Sequence, residues 1–414
     1  MRIYLLELKR VLKSRRAIIL LIIALLMSVV TAWLPVMYED INQYDEKGNK
    51  VAELNGLDAI TYKKSLGSVN NGEVTTEKLK EGLNIYQSAI SKYGEENLSS
   101  GDFPMNIYME KVFPVKALLG RLPEAFSDSK TGQASSLMNI TPDKLDNFYE
   151  QTVQHLKDIM QMEQKEYPNA QKQALQKYTE VGTPFQLYAG YSRDAFDYIV
   201  IFIFLLVILC TAAATPTFSN EYQTGSDSIL RCTKYGRSTL AIMKILAALT
   251  IFSIAFITCI SLHLLISNLA FGPECMKTSI QMLFSIISLP ALNLGKLQVV
   301  LAMGGLISLL STISFTLFLS AKCKDSISVI LIAIVMCLLP MFTYSVGANW
   351  FSFILPSSGI GMQNSLLYQL TGFNFLYIGS ISIWSPYVIM ATAAIEIPVF
   401  LFLTVRTYCK HQVA

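Results

Sequence analysis

Six long apolar segments constrain this sequence more than any other feature. A helix that crosses a bilayer needs about 20 mainly apolar residues, because hydrocarbon offers the backbone no hydrogen-bonding partner. Only 15% of the residues are charged, whereas soluble domains carry about 25%. We therefore predict an all-α polytopic membrane protein with six transmembrane helices. The windows lie within residues 17–38, 198–220, 245–271, 297–321, 326–347 and 385–405.

The basic residues predict the orientation of these spans. Lys and Arg in short flanking segments are retained on the cytoplasmic side. They cluster in residues 2–16, 231–244, 322–324 and 406–410, which fall on one side of a six-span chain. We expect a multi-pass protein of a bacterial plasma membrane with both termini cytoplasmic. A cleaved signal peptide is the rival interpretation of the first span, disfavoured by the long apolar run and the weak cleavage context around Ala32.

The remaining segments divide by polarity. Residues 1–16 interleave apolar and basic positions, which predicts a cytoplasmic amphipathic helix in the membrane interface, with its basic side chains toward the headgroups. Residues 39–197 are polar and show helical spacing, as in the run 76–93 before Gly94, so we predict a mostly helical extracytoplasmic domain between spans 1 and 2. The predicted domains are the interfacial helix 1–16, span one 17–38, the outer domain 39–197, the transmembrane domain 198–405 and the cytoplasmic tail 406–414.

Two outer segments are too apolar for ordinary loops. The spacing of Ile280, Leu283 and Ile287 behind Thr278 and Ser279 predicts a capped interfacial helix. Residues 349–384 contain no charge and are interrupted by Pro356 and four glycines. There we predict a re-entrant pair of short helices that dips from the outer face, where protein can bury irregular backbone.

Patterns for catalysis and metal binding are absent from the sequence. It has no phosphate-binding G-x-x-x-x-G-K-[ST] loop, no H-E-x-x-H and no G-x-S-x-G. The seven cysteines show no metal-ligand spacing, and none precedes Cys210. The net charge of +3 lacks the clustered basic surplus of a nucleic-acid-binding protein. We expect no catalytic, cofactor-binding or metal-binding residues and no nucleic-acid partner.

The inner segment 219–244 carries a recognisable motif. Asn220-Glu221-Tyr222-Gln223-Thr224-Gly225-Ser226 is followed by Ile229-Leu230, Tyr235-Gly236-Arg237 and Lys244. This run resembles the motif of type-2 (ABC-2 type) ABC transporter permeases, which places a Glu, an aromatic, a Gly-Thr pair, a leucine pair, an Arg and a Lys between the second and third spans. Ser226 stands where the family usually has Thr. The interfacial helix, six spans and broken apolar hairpin resemble the same family, and the long first outer loop resembles a subset of it.

The resemblance implies a transport function. In such permeases this segment forms the coupling helix that docks on a separate ABC ATPase subunit, which places Glu221, Gly225, Arg237 and Lys244 at the contact. It implies that ATP binds to that partner, that this chain is not an enzyme, and that a second permease copy completes a homodimer or a heterodimer. Export of a hydrophobic or amphipathic substrate (peptide, drug or lipid) is the implied function. The alternative is a multi-span membrane sensor or binding protein with an extracytoplasmic ligand domain and no transport activity.

Individual residues within the spans carry further hypotheses. Glu396 lies midway along the sixth span, where a carboxylate costs a few kcal/mol and must face protein or water. It is either a polar contact on the translocation path or a protonated acid bound to a neighbouring helix. For His263 we favour an interhelical hydrogen bond over a proton carrier. The small-residue spacing from Gly304 through Ser308 to Thr312 permits close helix packing, which we favour within one subunit over contact between two.

Overall fold

The computed structural model describes residues 2–94, 103–128 and 131–411 of the chain. It begins with an amphipathic helix, α1 (Arg2–Lys13), followed by the first span, α2 (Arg15–Met37). The break falls at Ser14, whose Oγ accepts a hydrogen bond from the Ala17 N–H (3.5 Å) and so caps α2. The helical part of the 1–16 prediction is thereby confirmed, while its place in the membrane interface stays a prediction.

The region between the first two spans is mostly helical and also contains strands that we did not predict. The predicted helix 76–93 is confirmed to the residue: Thr75 Oγ1 accepts from the Lys78 N–H (3.3 Å), and Gly94 ends the helix. The antiparallel β1–β2 pair was missed, although Asp45 and Gly48 supply the turn between its strands. The elements are β1 (Asp40–Tyr44), β2 (Lys50–Asn55), α3 (Leu57–Gly67), β3 (Gly72–Glu73), α4 (Thr76–Tyr93), α5 (Met105–Ile107), α6 (Phe113–Leu119), α7 (Leu122–Ala125), α8 (Phe148–Glu163), α9 (Pro168–Tyr178) and β4 (Gln186–Leu187), which pairs with β3.

Among the described residues, six helices are long and apolar enough to cross a membrane, which confirms the predicted number of spans. The second span is the most buried of the six, and α2 packs against it and against the third span. After α2, the remaining spans are α10 (Arg193–Ala214) continued by α11 (Pro216–Thr224), α13 (Ser238–Phe271), α15 (Leu294–Lys322), α16 (Ser326–Ser345) and α19 (Ser385–Lys410). Between α11 and α13 lies α12 (Ser226–Arg231).

The predicted interfacial helix after Pro273 is wrong. Only one turn forms, α14 (Ile280–Leu283), and both Ile280 and Ile287 are buried in the protein core. The reason is that the hydroxyl groups are engaged elsewhere. Thr278 Oγ1 accepts from the Tyr188 N–H (2.9 Å) and Ser279 Oγ from the Gln186 N–H (3.0 Å), so this segment is fastened to β4.

Residues 349–384 contain two short helices, as predicted, and a hairpin that we did not predict. They are α17 (Asn349–Ser352), α18 (Leu366–Thr371), β5 (Phe375–Ile378) and β6 (Ile381–Trp384). Ser308 and Thr312 of α15 donate to the backbone carbonyls of Ser358 (2.9 Å) and Pro356 (3.1 Å). The small-residue face of α15 therefore packs within this chain and satisfies irregular backbone, as hydrocarbon surroundings would require. Re-entry into a bilayer stays a prediction.

The β5–β6 hairpin is also the place where the region between spans 1 and 2 rests on the bundle. The rings of Tyr167 and Tyr377 stack with centroids 3.7 Å apart. Gln173 of α9 donates to the Ser382 carbonyl (2.5 Å). Lys177 donates to the Tyr387 hydroxyl (2.5 Å) and lies 4.5 Å from the centroid of the Trp384 ring. We call these interactions of residues 167–177 with residues 377–387 the outer contact.

Candidate functional site

The second span ends in α11, and a single glycine separates α11 from the short helix α12 that leads toward the third span. α11 ends at Thr224, Gly225 adopts a φ of +67°, and α12 follows directly. A positive φ strains residues with a side chain, which explains the glycine. A Cβ on Gly225 would meet no atom within 4 Å. The backbone conformation, rather than space within this chain, therefore requires glycine here.

Beneath this segment lies a set of paired charges, which we call the inner ion cluster: the buried Glu221 and Lys244 and the exposed Arg10. Glu221 is fully buried and Lys244 is 1% exposed. One carboxylate oxygen, Oε1 of Glu221, accepts from the Arg10 guanidinium and pairs with the Lys244 ammonium group. Glu7 lies 3.7 Å from Arg10 and supplies a second negative charge. Each buried ion of the cluster thus has a partner, as burial of charge demands.

The inner ion cluster joins three helices. Arg10 belongs to α1, Glu221 to α11 and Lys244 to α13. Lys244 also donates to the Thr217 carbonyl (3.3 Å) and lies 5.2 Å from the centroid of the Phe218 ring. Electrostatic attraction therefore fixes the start of the 219–244 segment relative to the N-terminal helix and the third span.

The four residues singled out in this segment separate into two groups. Glu221 and Lys244 come together in the buried cluster, whereas Gly225 and Arg237 are exposed and lie apart from it. Arg10 was missed as a member. We expected the basic side chains of α1 to face headgroups. Arg10 stays exposed while its guanidinium pairs with the Glu221 carboxylate, so its place at the headgroups stays a prediction.

A second basic residue, Arg231, ties α12 to the last span. Its guanidinium donates to the carbonyls of Tyr408 (2.5 Å) and His411 (2.6 Å), which caps the carboxyl end of α19. The His411 ring stacks on Tyr222, with centroids 4.2 Å apart. Burial, together with the adjacent Arg231, lowers the pKa of His411 and so favours the neutral ring at pH 7. The sequence flagged Arg231 only as an orientation signal, because its partners lie about 180 residues away.

The opposite face of the segment is open. Ile229 is 74% exposed and Tyr235 is 52% exposed, and Arg237 is exposed beside them in sequence. Two large apolar side chains with a cation form a surface suited to a protein partner, since aromatic and arginine residues are enriched at interfaces. The segment thus has a buried side that holds it in place and an exposed side available for contact.

Glu396 occupies a different part of the molecule, where α19 packs along α15. Ser311 Oγ of α15 donates to Glu396 Oε2 (2.7 Å), and the glutamate is half-buried. His263, by contrast, is fully enclosed: its Nδ1 lies 3.1 Å from Thr31 Oγ1, and its ring stacks on Phe202. The interhelical hydrogen bond predicted for His263 is present.

The comparisons with known proteins agree with the motif in the inner segment. A family model described as "ABC-2 family transporter protein" matches residues 15–406. No curated protein and no solved structure gives a significant match. The family match extends from the first span to the last and includes the whole 219–244 segment.

Proposed function

The chain belongs to the ABC-2 family of transporter proteins, and we propose that it is the membrane-spanning permease subunit of an ATP-driven exporter in a bacterial plasma membrane. The family and the six apolar helices make it a multi-pass membrane transport component. In the proposal, both termini are cytoplasmic and ATP is hydrolysed by a separate ABC ATPase subunit. The observation that carries the proposal is the family match together with an exposed 219–244 surface held from beneath by paired charges.

From their burial we infer different roles for the four motif residues. Gly225 and Arg237, with Ile229 and Tyr235, form the surface that would meet the ATPase. Glu221 and Lys244 lie beneath that surface and would act by holding it in position, because a fully buried carboxylate cannot reach a partner in this arrangement.

A second permease copy is part of the proposal. The first and fifth spans are only 28% buried over their apolar windows, so large apolar faces are left for lipid and for a related or identical subunit. Residues on α16 such as Ile327 (67% exposed) and Leu331 (61% exposed) illustrate these faces. Crosslinking in vesicles through a cysteine placed at Leu331 tests the pairing. A dimer band from active vesicles supports it, whereas a strictly monomeric product contradicts it.

The sensor alternative rests on the region between spans 1 and 2. A groove of about 670 Å³ between α4 and α6 is lined in part by Lys78, Glu81, Lys92 and Glu110. Because this groove carries both positive and negative side chains, its charge does not indicate which ligand it would bind. Six spans exceed what a ligand-binding domain needs as an anchor, so transport is the better-supported function.

Co-purification and transport separate the two functions. The full chain is expressed with its ABC ATPase subunit and reconstituted in vesicles, and ATP hydrolysis and ATP-dependent export of amphipathic dyes are measured. We expect a stable complex that Arg237→Glu weakens, while Lys172→Glu, an exposed change on α9, leaves it intact. A chain that purifies alone and leaves ATP hydrolysis unchanged would support the sensor.

A further inference from the structure

Glu396 lies in the seam, by which we mean the line along which α15 and α19 pack together, and its carboxylate has unused hydrogen-bonding capacity. Ser311 is fully buried and satisfies Glu396 Oε2. Within the described residues, Glu396 makes no second hydrogen bond and no salt bridge, and the residue is partly exposed. Arg406, the next basic residue along α19, lies ten positions further on, about 15 Å along a helix. The carboxylate therefore reaches the surface of the bundle without a cation beside it.

Aromatic rings line the same seam one helical turn away. Phe400 follows Glu396 on α19, and Phe315 follows Ser311 on α15; their rings meet edge to face with centroids 5.1 Å apart. Phe318 lies 6.1 Å from Phe400, measured between ring centroids. All three phenylalanines are partly exposed. The seam thus places aromatic surface one helical turn from the partly exposed carboxylate.

Both features favour the same chemical group. A carboxylate within a membrane span is unfavourable unless it is paired or protonated, and a single serine hydroxyl compensates it only in part. Aromatic faces attract cations, and they are the usual surroundings of bound quaternary ammonium groups. The neighbouring exposed side chains, Ile395 (63%) and Phe402 (64%), offer apolar contact to a hydrocarbon tail.

We propose that the α15–α19 seam binds the cationic head of an amphipathic substrate, with Glu396 pairing its charge and Phe315 and Phe400 contacting the ammonium group. This inference rests on the proposed transport function and narrows its substrate class to cationic amphipaths. Ser311 is a positioning residue, because it orients the carboxylate through Oε2 and leaves Oε1 for the ligand.

Direct binding tests the inference. The full chain is placed in phosphatidylcholine nanodiscs, and binding of tritiated dodecyltrimethylammonium is measured against empty discs, with uncharged dodecanol as a competitor. For Glu396→Gln we expect affinity to fall about tenfold or more, the effect of losing one favourable ion pair. Glu396→Asp should recover part of the loss, and Glu166→Gln, an exposed control on the α8–α9 connection, should bind like the wild type. Equal affinity of Glu396→Gln and wild type would overturn the proposal and leave Glu396 a structural acid.

The aromatic variants keep the inference testable if Glu396→Gln fails to fold. Phe315→Leu and Phe400→Leu should each lower affinity for the ammonium probe a few-fold while competition by dodecanol is unchanged; an equal loss for both ligands would overturn the cation site. Binding needs no ATPase, so failure of the wider transport function is distinguishable. If the chain binds the probe through Glu396 but recruits no ATPase, the proposed transport function is contradicted and the cation site is not. ATP-driven export that neither prefers cations nor responds to Glu396→Gln would contradict only the cation site.

Discussion

The inner ion cluster and the outer contact hold the two ends of the membrane bundle by different physical means. In the inner ion cluster, Glu221 and Lys244 are buried charges that require each other. At the outer end, stacked tyrosines and hydrogen bonds to carbonyls dominate, and the charged member, Lys177, remains partly exposed. Losing one partner should therefore be far more damaging inside than outside, because an unpaired buried ion costs more than a lost neutral contact.

The comparison also assigns a role to the last span. Arg231 binds the carboxyl end of α19, while Lys177 binds Tyr387 near its amino end. One helix is thus fastened both to the segment proposed to meet the ATPase and to the region beyond the opposite end of the bundle. Contacts at the two ends of α19 therefore connect α12 with the outer contact.

Breaking the inner ion cluster should have the largest effect. Glu221→Gln leaves the buried Lys244 without its counter-charge, and we expect a loss of about 3–5 kcal/mol in the free energy of unfolding. Thermal unfolding of the purified chain in nanodiscs measures this loss. Glu53→Gln is the matched control, because it removes an exposed carboxylate 2.6 Å from Lys50 and should leave the free energy of unfolding nearly unchanged. Equal effects of the two changes would contradict the importance of burial.

Releasing the last span from α12 should rank second. Arg231→Gln removes the charged donor to the Tyr408 and His411 carbonyls, and we expect a loss of about 1.5–3 kcal/mol in all, because water can satisfy carbonyls at the end of a helix. We expect faster amide hydrogen exchange confined to the last turn of α19. Arg237→Gln, an exposed change, should leave that exchange unaltered. Unchanged protection in Arg231→Gln would show that the helix end is held by other contacts.

The outer contact should respond more weakly. Lys177→Met removes one hydrogen bond and the cation over the rings of Trp384 and Tyr387, an interaction worth about 0.5–1 kcal/mol at partly exposed sites. Quenching of the tryptophan fluorescence by iodide should increase slightly, and Lys172→Met should not change it. If Lys177→Met lowered the free energy of unfolding as much as Glu221→Gln does, the expected order of the two contacts would be contradicted.

Acidification should give the smallest effect, confined to the region between spans 1 and 2. Burial lowers the pKa of His155, whose Nδ1 lies 3.4 Å from Ser127 Oγ. The unfolded chain takes up a proton near the usual pKa of about 6.5 and the folded chain only below it. The stabilisation that neutral His155 gives to the folded chain is therefore complete above about pH 6.5 and is lost as the pH falls through the lowered pKa of this residue. Limited proteolysis from pH 7 to pH 5 should show increasing cleavage here, and His155→Gln should flatten the dependence.

Structural features that depend on residues close together in the chain could be predicted from the sequence. The six spans follow from continuous apolar runs, and α4 follows from its own periodicity with Thr75 and Gly94 at its ends. The motif in 219–244 identified Glu221 and Lys244, which belong to one local segment.

Contacts between residues far apart in the chain could not be predicted from the sequence. Arg10 and Glu221 are 211 positions apart, and nothing in either local pattern indicates that they meet. The wrong prediction of a helix at Ile280 has the same origin. The hydroxyl groups of Thr278 and Ser279 could cap a helix, but they accept hydrogen bonds from the distant β4 segment instead. The β1–β2 hairpin could have been found from the turn at Asp45, had strand pairing been sought in a polar region.

Crosslinking from Cys232 tests the central claim most directly, because this native cysteine is exposed between Ile229 and Tyr235 on the surface proposed to meet the ATPase. In a variant with Cys323 and Cys409 replaced by Ser, a benzophenone maleimide is attached to Cys232 and activated by light in membranes that contain both subunits. We predict a covalent product with the ABC ATPase subunit, diminished in Arg237→Glu. A co-purifying ATPase that never crosslinks from Cys232 would contradict docking at this segment.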